Sequence, residues 1–295
     1  MSLTLITGAT GGLGAAVADF LKEKSNYEKI AVLVRDPKNE KAKILADKGF
    51  EIRVGDYTDP DSLIKAFAGV TNLYFVSASD LEGRFAKHKQ VVEVAKNAGV
   101  DHIFYTSAGL DKLDKEAPLY SVMSSHIETE KLIKDSGMKY TILQHNLYSE
   151  VIPMFLGTKD QLLGSKSVFL PTDEGKTAFV PRTELAEAGA IILSNPANHV
   201  NKVYEMNGSE SVGFGQVAEI LTDVLGEKIG YVSPDVSTFE STLKGFGVPD
   251  MYIGMMRDFG LAIADGAFES SKTDLETLLG RKTQPVADFL NVVYG

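Results

Sequence analysis

Short runs of apolar, often β-branched residues alternate along the first half of the chain with longer stretches of helical spacing. Leu3 to Thr7, Ile30 to Val34, Glu51 to Val54, Asn72 to Ser77, His102 to Thr106 and Tyr140 to Gln144 read as strands. Leu13 to Lys24, Glu40 to Lys48, Asp59 to Ala68, Phe85 to Ala98 and Leu119 to Ser136 read as helices. A unit repeated in this way lays its strands parallel, so the pattern predicts an α/β fold with a doubly wound parallel sheet of the Rossmann type. Gly69, Gly99 and Gly137 fall where each helix must stop before a strand begins, as a left-handed cap requires.

Beyond about residue 150 the pattern loosens. Val151 to Lys176 is punctuated by Gly and Pro, Arg182 to Leu193 reads as a helix and Lys202 to Met206 as a strand. Helices are then expected at Phe214 to Leu225, Val236 to Phe246, Asp250 to Ala264, Lys272 to Leu279 and Val286 to Val293, with one strand at Ile229 to Ser233. The expected organisation is a Rossmann domain over 1–150, to which 180–207 returns, and a smaller helix-rich lobe over most of 151–295.

Composition narrows the function class. Of 295 residues 44% are hydrophobic and 24% charged, which suits a globular chain and excludes a disordered or fibrous one. Lys and Arg number 30 against 40 Asp and Glu, a formal charge of −10 that argues against a nucleic-acid groove. Lys38, Lys41 and Lys43 are broken up by Asn39, Glu40 and Ala42 and read as a solvated helix face. There is no cysteine, so disulfides and thiol nucleophiles are excluded. No apolar run nears the roughly 20 residues of a membrane span, and Met1 to Thr7 carries no basic region before Gly8. A cytoplasmic protein with no membrane or nucleic-acid partner is expected.

The first candidate chemistry is the loop Gly8-Ala9-Thr10-Gly11-Gly12-Leu13-Gly14, directly after the first strand and opening the first helix. Glycines there let the backbone approach a pyrophosphate, while the amides and positive dipole end of the helix favour an anion. A dinucleotide is the expected ligand. The second strand ends at Val34, where an acid would bond the ribose 2′-hydroxyl of NAD, and Arg35 stands next. A guanidinium there suits a 2′-phosphate, so NADP(H) is favoured over NAD(H), with Asp36 read as opening an Asp-Pro turn. By position at strand ends, Asp56 and Tyr57 would flank the adenine, and Ser77, Ala78 and Ser79 would lie over the cofactor crevice.

The GxxGxxG spacing suits the short-chain dehydrogenase/reductases, whose usual proton donor is a Tyr with a Lys four residues on. No tyrosine here has one: Tyr120 is followed at that spacing by Ser124, and Lys131 lies about 16 Å further along the same helix. The loop, Val32 to Pro37, Tyr105-Thr106-Ser107, His126-Ile127-Glu128-Thr129-Glu130-Lys131 with Asp135-Ser136-Gly137, and Asn146 to Glu150 together resemble the NmrA-like atypical short-chain dehydrogenase/reductases, of the NADPH-dependent quinone oxidoreductase type. The resemblance covers essentially the whole chain and is most specific before about residue 150. It implies NADPH held by Gly8, Thr10, Gly11, Gly12, Leu13, Gly14, Arg35, Ser77 to Ser79, Thr106, Asn146, Tyr148, Ser149 and Glu150. One departure stands out: where the family commonly carries Asn-Gly-Trp-Tyr, this chain has His145-Asn146-Leu147-Tyr148.

The missing Tyr-Lys pair fits that resemblance chemically. A reduced quinone is a phenolate whose conjugate acid has a pKa of about 10, so water can protonate it, whereas an alkoxide needs a positioned donor. Asn146 and Tyr148 are the expected polar contacts at the substrate face. His126 is open between a substrate-side role and a helix-face pair with Glu130, and Ser107 between catalysis and backbone satisfaction. Met251, Met255 and Met256 read as helix packing rather than an acceptor wall, and the five histidines have no metal-ligand spacing. The leading function is hydride transfer from NADPH to a quinone-like acceptor. The alternatives are a non-catalytic NAD(P) sensor of the NmrA kind, acting through protein contacts, and a reductase of enones, imines or azo compounds. A homodimer is left open.

Overall fold

The computed structural model describes residues 2–24, 29–80, 82–109 and 115–295, with the side chain of Ser121 set aside. In chain order the elements are β1 (Thr4–Ile6), α1 (Gly12–Lys24), β2 (Ile30–Val34), α2 (Glu40–Asp47), β3 (Glu51–Val54), α3 (Pro60–Phe67), β4 (Asn72–Phe75), α4 (Arg84–Asn97), β5 (His102–Ala108), α5 (Tyr120–Asp135) and β6 (Lys139–His145). There follow α6 (Ile152–Leu156), α7 (Lys159–Ser165), β7 (Ser167–Phe169), β8 (Lys176–Thr177), α8 (Arg182–Ser194) and β9 (Lys202–Met206). The last are β10 (Val212–Gly213), α9 (Phe214–Leu225), β11 (Gly230–Val232), α10 (Val236–Gly245), α11 (Asp250–Ala264), α12 (Asp274–Leu279) and α13 (Val286–Tyr294).

Two compact units divide these elements. The first comprises Met1–Ala108, Val122–His145 and Arg182–Glu205, the second Gly109–Ser121, Asn146–Pro181 and Met206–Gly295. The first unit is the expected Rossmann sheet, seven strands in the order β3-β2-β1-β4-β5-β6-β9. Its interior strands are buried on both faces, which is why β2 is the unbroken apolar run Ile-Ala-Val-Leu-Val. The edge strand β3 alternates instead, with Arg53 and Glu51 ion-paired at 2.8 Å where an unprotected edge would invite pairing. Leu63, Phe67, Val91 and Ala95 of α3 and α4 close over Leu5, Leu33, Phe75 and Tyr105 of the sheet as one apolar core. On α8, Gly189 lets the helix approach the sheet, because a Cβ there would come within 2.6 Å of the Tyr74 hydroxyl oxygen.

β1 pairs with both β2 and β4 in parallel, so the strand order reverses direction between β1 and β4. In such sheets ligands lie beyond the carboxyl ends of the strands at that reversal. β4 stops at Phe75, two residues earlier than the apolar pattern suggests, because side chains take over the ladder bonds. Val76 N–H donates to Thr7 Oγ1 at 2.9 Å, Ser77 N–H to Thr106 Oγ1 at 2.9 Å and Ala78 N–H to His88 Nε2 at 2.9 Å.

The second unit is built around aromatic side chains. Phe214 meets Phe155 and Phe179 with ring centroids 6.1 Å apart, and Phe259 meets Phe268 at the same separation. The Gly- and Pro-punctuated stretch holds α6, α7 and β7, α7 being opened by a capping box between Thr158 and Gln161. β8 and β10 pair antiparallel, and β7 and β11 in parallel. The helix expected from Lys272 begins at Asp274, since Thr273 Oγ1 accepts the Leu275 N–H and so caps it. No helix among the described residues is long and apolar enough to cross a membrane.

Candidate functional site

The loop between β1 and α1 uses its glycines for different reasons. Gly8 has φ +62°, and a Cβ on it would press against the Val76 side chain at 3.0 Å. Gly14 is buried where α1 crosses the end of β1: a Cβ there would sit 2.5 Å from the Gly8 carbonyl oxygen and 2.6 Å from that of Thr7. Gly12 is not crowded by the chain, since the nearest atom to a Cβ would be Arg182 Cδ at 3.8 Å. Gly11 and Gly12 are exposed, and the first-turn amides of α1 have no partner within the helix. The open cradle, the bare backbone and the positive helix end together fit a pyrophosphate. Leu13 turns its side chain into the core and offers only backbone, and the Thr10 carbonyl accepts from Lys41 Nζ at 3.3 Å, setting an ammonium at the rim.

At the end of β2, Arg35 is exposed, and among the described residues no carboxylate lies within ion-pair distance of it. Asp36 is committed elsewhere: its Oδ1 accepts the Lys38 N–H at 2.8 Å, forming the Asp-Pro turn. Asp56 is held ionised below its ordinary range by the backbone and hydroxyl of Thr58, with Arg35 adding a smaller Coulombic effect. Tyr57 points its hydroxyl inward, donating to the Val76 carbonyl at 2.8 Å and sharing a 2.5 Å bond with Thr7 Oγ1. Burial pushes this phenol's pKa upward. Tyr57 therefore ties the end of β1 to the end of β4, and only its ring edge is left for a ligand.

Ser77, Ala78, Ser79 and Thr106 meet at the ends of β4 and β5, over a buried polar network. Ala78 N–H donates to Nε2 of His88, so the proton of the neutral ring is on Nδ1, where Thr129 Oγ1 accepts it at 2.9 Å and passes its own to the Ser125 carbonyl at 2.6 Å. Arginine can only donate, so Arg84 Nη1 gives a hydrogen to Nε2 of His126 at 3.3 Å, and His126 donates from Nδ1 to the Tyr105 hydroxyl oxygen at 2.8 Å. Burial lowers the pKa of His88 and of His126 to about 3, Coulombic repulsion adding to it. His126 thus lies inside the first unit and makes no helix-face pair with Glu130. Glu130 is bound by others: its Oε1 accepts from Ser107 Oγ at 2.6 Å and Gln144 Nε2 at 3.0 Å, and its Oε2 from Lys134 at 3.2 Å.

In the second unit Asn146 is buried and fully engaged. Its Nδ2 donates to Asn207 Oδ1 at 2.8 Å and to the Phe268 carbonyl at 3.1 Å, while its Oδ1 accepts the Leu147 N–H at 2.7 Å. Tyr148 bridges Val180 in parallel, Ser149 N–H donates to the Val180 carbonyl at 3.0 Å, and the side chains of Tyr148 and Glu150 are half-buried. The structure adds Arg84 and His88 to the residues singled out from sequence, and gives Lys41, Tyr105 and Glu130 bonding partners on other elements. No spacing along the chain could have marked them.

Residues 1–290 match the NmrA-like family. Quinone oxidoreductase 2 of Escherichia coli (strain K12) is 34% identical over 290 residues, covering 98% of this chain and 98% of the relative. The chain is similar in structure to an NADPH-dependent quinone oxidoreductase from E. coli, solved in complex with NADPH, with a TM-score of 0.90 and 33% identity over 99% of this chain and 100% of the other. It is also similar to the triphenylmethane reductase of Citrobacter sp., solved with NADP(H), with a TM-score of 0.87 and 30% identity over 99% of this chain and 100% of the other. NmrA, a negative transcriptional regulator solved with NAD, has a TM-score of 0.78 at 15% identity, over 99% of this chain and 95% of the other, a likeness of fold alone.

Two outcomes are expected for the ligand-free protein. Gly14→Ala forces a methyl into two backbone carbonyls and lowers the unfolding free energy by about 1–3 kcal/mol, while Gly12→Ala changes it by less than about 0.5 kcal/mol. Urea titrations of both variants check this, and equal losses would contradict the division of roles. Acidification supplies the second. His88, His126 and His145 have folded pKa values of about 3, and His102 of about 4, against 6.5 when unfolded. Between those values the unfolded chain binds protons that the folded chain refuses, so this contribution to stability is complete above about pH 6.5 and declines as the pH falls toward 3. Urea midpoints at pH 7, 6 and 5 should fall in that order, and a flat profile down to pH 5 would show the imidazoles are not enclosed.

Proposed function

The chain belongs to the NmrA-like family, and from that membership we propose that it is an NADPH-dependent reductase delivering a hydride to a quinone or a comparable electrophilic acceptor. The observation that carries the reading is the pairing of an exposed, carboxylate-free Arg35 with an Asp36 whose carboxylate is turned into its own backbone. That arrangement suits a 2′-phosphate and leaves no acid aimed at a 2′-hydroxyl, so NADPH is preferred to NADH. Asp56 is also partly committed, its Oδ1 accepting both the N–H and the hydroxyl of Thr58.

When bound, NADPH supplies the hydride. Gly8, Thr10, Gly11, Gly12, Leu13 and Gly14 hold the pyrophosphate through bare backbone and the first turn of α1. Arg35 grips the 2′-phosphate, and Lys41 adds a second positive charge at the same rim. Asp56 and Tyr57 bound the adenine side, Tyr57 by fixing the wall rather than by its hydroxyl. Ser77, Ala78, Ser79 and Thr106 support the nicotinamide half. Asn146 is taken up in tying its own loop to Asn207 and Phe268.

Among the described residues, the side chains weighed for proton delivery at the strand ends are committed elsewhere. Ser107 gives its hydrogen to Glu130, and His126 is enclosed and neutral. An acceptor whose reduced form is a weakly basic anion suits such a site, because water completes the reaction and the protein need only orient the partners. Relatives named a quinone oxidoreductase and a triphenylmethane reductase support this reading.

Purified protein should oxidise NADPH, followed by loss of its near-ultraviolet absorbance, with a panel of benzoquinones and naphthoquinones. Arg35→Ala should weaken NADPH binding about 10- to 100-fold while leaving NADH within about threefold, read by calorimetry. Tight NADPH binding with no oxidation across the panel would transfer the reading to an NAD(P) sensor acting through protein contacts. Equal losses toward both cofactors would remove Arg35 from the selectivity.

A further inference from the structure

Arg84 is a buried guanidinium, 7% exposed, at the first position of α4. Among the described residues it has no ion-pair partner: of the two acids just before it, Glu82 is exposed and Asp80 is bound at 2.6 Å by Lys87. Arg84 spends its hydrogens on neutral acceptors: Nε on the Asp80 carbonyl at 3.0 Å, Nη2 on the Ser79 carbonyl at 3.3 Å, and Nη1 on the Val122 carbonyl at 3.1 Å and on Nε2 of His126 at 3.3 Å. A buried cation that feels Asp80 only at longer range, with no direct ion pair, is costly, so stability alone gives no reason for it. Its geometry does. The fork joins the segment leaving β4 to α5, and His126, held by Tyr105, orients the fork from behind.

That segment is the crevice wall on the far side of the strand-order reversal from Arg35. A dinucleotide laid across the reversal with its 2′-phosphate on the β2 side extends its other half over β4 and β5. We propose that Arg84 is a positioning residue for the nicotinamide half of the cofactor, that it acts by clamping the backbone of residues 79 and 80 to α5, and that His126 is its neutral orienting partner, with no acid or base role. The assignment rests on the proposed NADPH site for its functional half. The clamp itself is a property of the ligand-free protein.

The second segment end is fixed independently of Arg84. Ser77 N–H and Ala78 N–H are held by Thr106 and His88, so removing the guanidinium loosens the wall without dissolving it. Binding through Gly12 and Arg35 is then preserved, while alignment of the reacting end is lost. Misplacement of that kind lowers turnover more than affinity.

Arg84→Met, His126→Phe and His126→Gln separate the possibilities. A glutamine can accept from Arg84 with its carbonyl and donate to Tyr105 with its amide, so it replaces both bonds of the neutral imidazole and carries no titratable proton. In the ligand-free protein, amide exchange over residues 76–80 should quicken about tenfold or more in Arg84→Met and His126→Phe and stay near wild type in His126→Gln. With NADPH and a quinone, kcat should fall about tenfold or more in the first two variants, the NADPH Kd should move by less than about threefold, and His126→Gln should be rescued. Unchanged exchange in Arg84→Met overturns the clamp whatever the kinetics. Quickened exchange with unaltered kcat overturns its role in positioning. A His126→Gln variant that keeps wild-type exchange but loses turnover makes His126 an acid or base and overturns its assignment here. Wild-type protein that binds no NADPH overturns the proposed cofactor site and the positioning role, while the exchange result still decides the clamp.

Discussion

A helix can begin directly over the end of β1 only because Gly14 has no Cβ. The approach leaves 2.5 Å between that missing atom and the Gly8 carbonyl oxygen, and it aims the first turn of α1 across the strand-order reversal. Anion attraction at the first turn and the open cradle at Gly12 follow from that placement. A methyl at Gly14 would push α1 away from the sheet and carry the amides with it. The site is therefore a by-product of how closely one helix is allowed to approach one strand.

The opposite wall is made by a different device. Beyond Phe75 the chain leaves the ladder, and the amides of Val76, Ser77 and Ala78 are satisfied in turn by Thr7, Thr106 and His88. Side chains in place of a neighbouring strand hold the backbone at fixed points while leaving the crevice open above it. Neutral imidazoles suit this task because each offers one donor and one acceptor on a rigid ring, and their burial keeps them neutral. A protonated ring at His88 would turn a second donor toward Ala78 N–H.

The sheet and the glycine loop were legible in the sequence because their signals are local: β2 is apolar throughout, and the loop lies between a strand and a helix start. The short pieces of the second unit were not. β8 and β10 have two residues each, too few for any period to register, and α6 is five residues opened by Pro153. Arg35 and Asp36 could be told apart by turn chemistry, since an Asp before Pro closes on its own backbone. The pairing of His126 with Arg84 and Tyr105, and of Ser107 with Glu130, could not, because each joins residues far apart in sequence. Helix spacing placed His126 beside Glu130 and gave no means of knowing that both were already engaged.

Those engagements shape the chemistry left to the crevice. Of the polar side chains that the sequence assigned or left open to a substrate (Tyr148 among them), Ser107, His126 and Asn146 are bonded to other parts of the protein. In the proposed site positive charge is supplied instead at the adenosine end, by Arg35, Lys41 and the start of α1, within a chain whose net charge is −10. On that reading selectivity is concentrated on the cofactor, where charges and bare backbone suit phosphates, and little polar discrimination is left for the acceptor. A site of this kind favours acceptors by electrophilicity and shape, because with few side-chain hydrogen bonds to satisfy, it has few with which to reject a related electrophile.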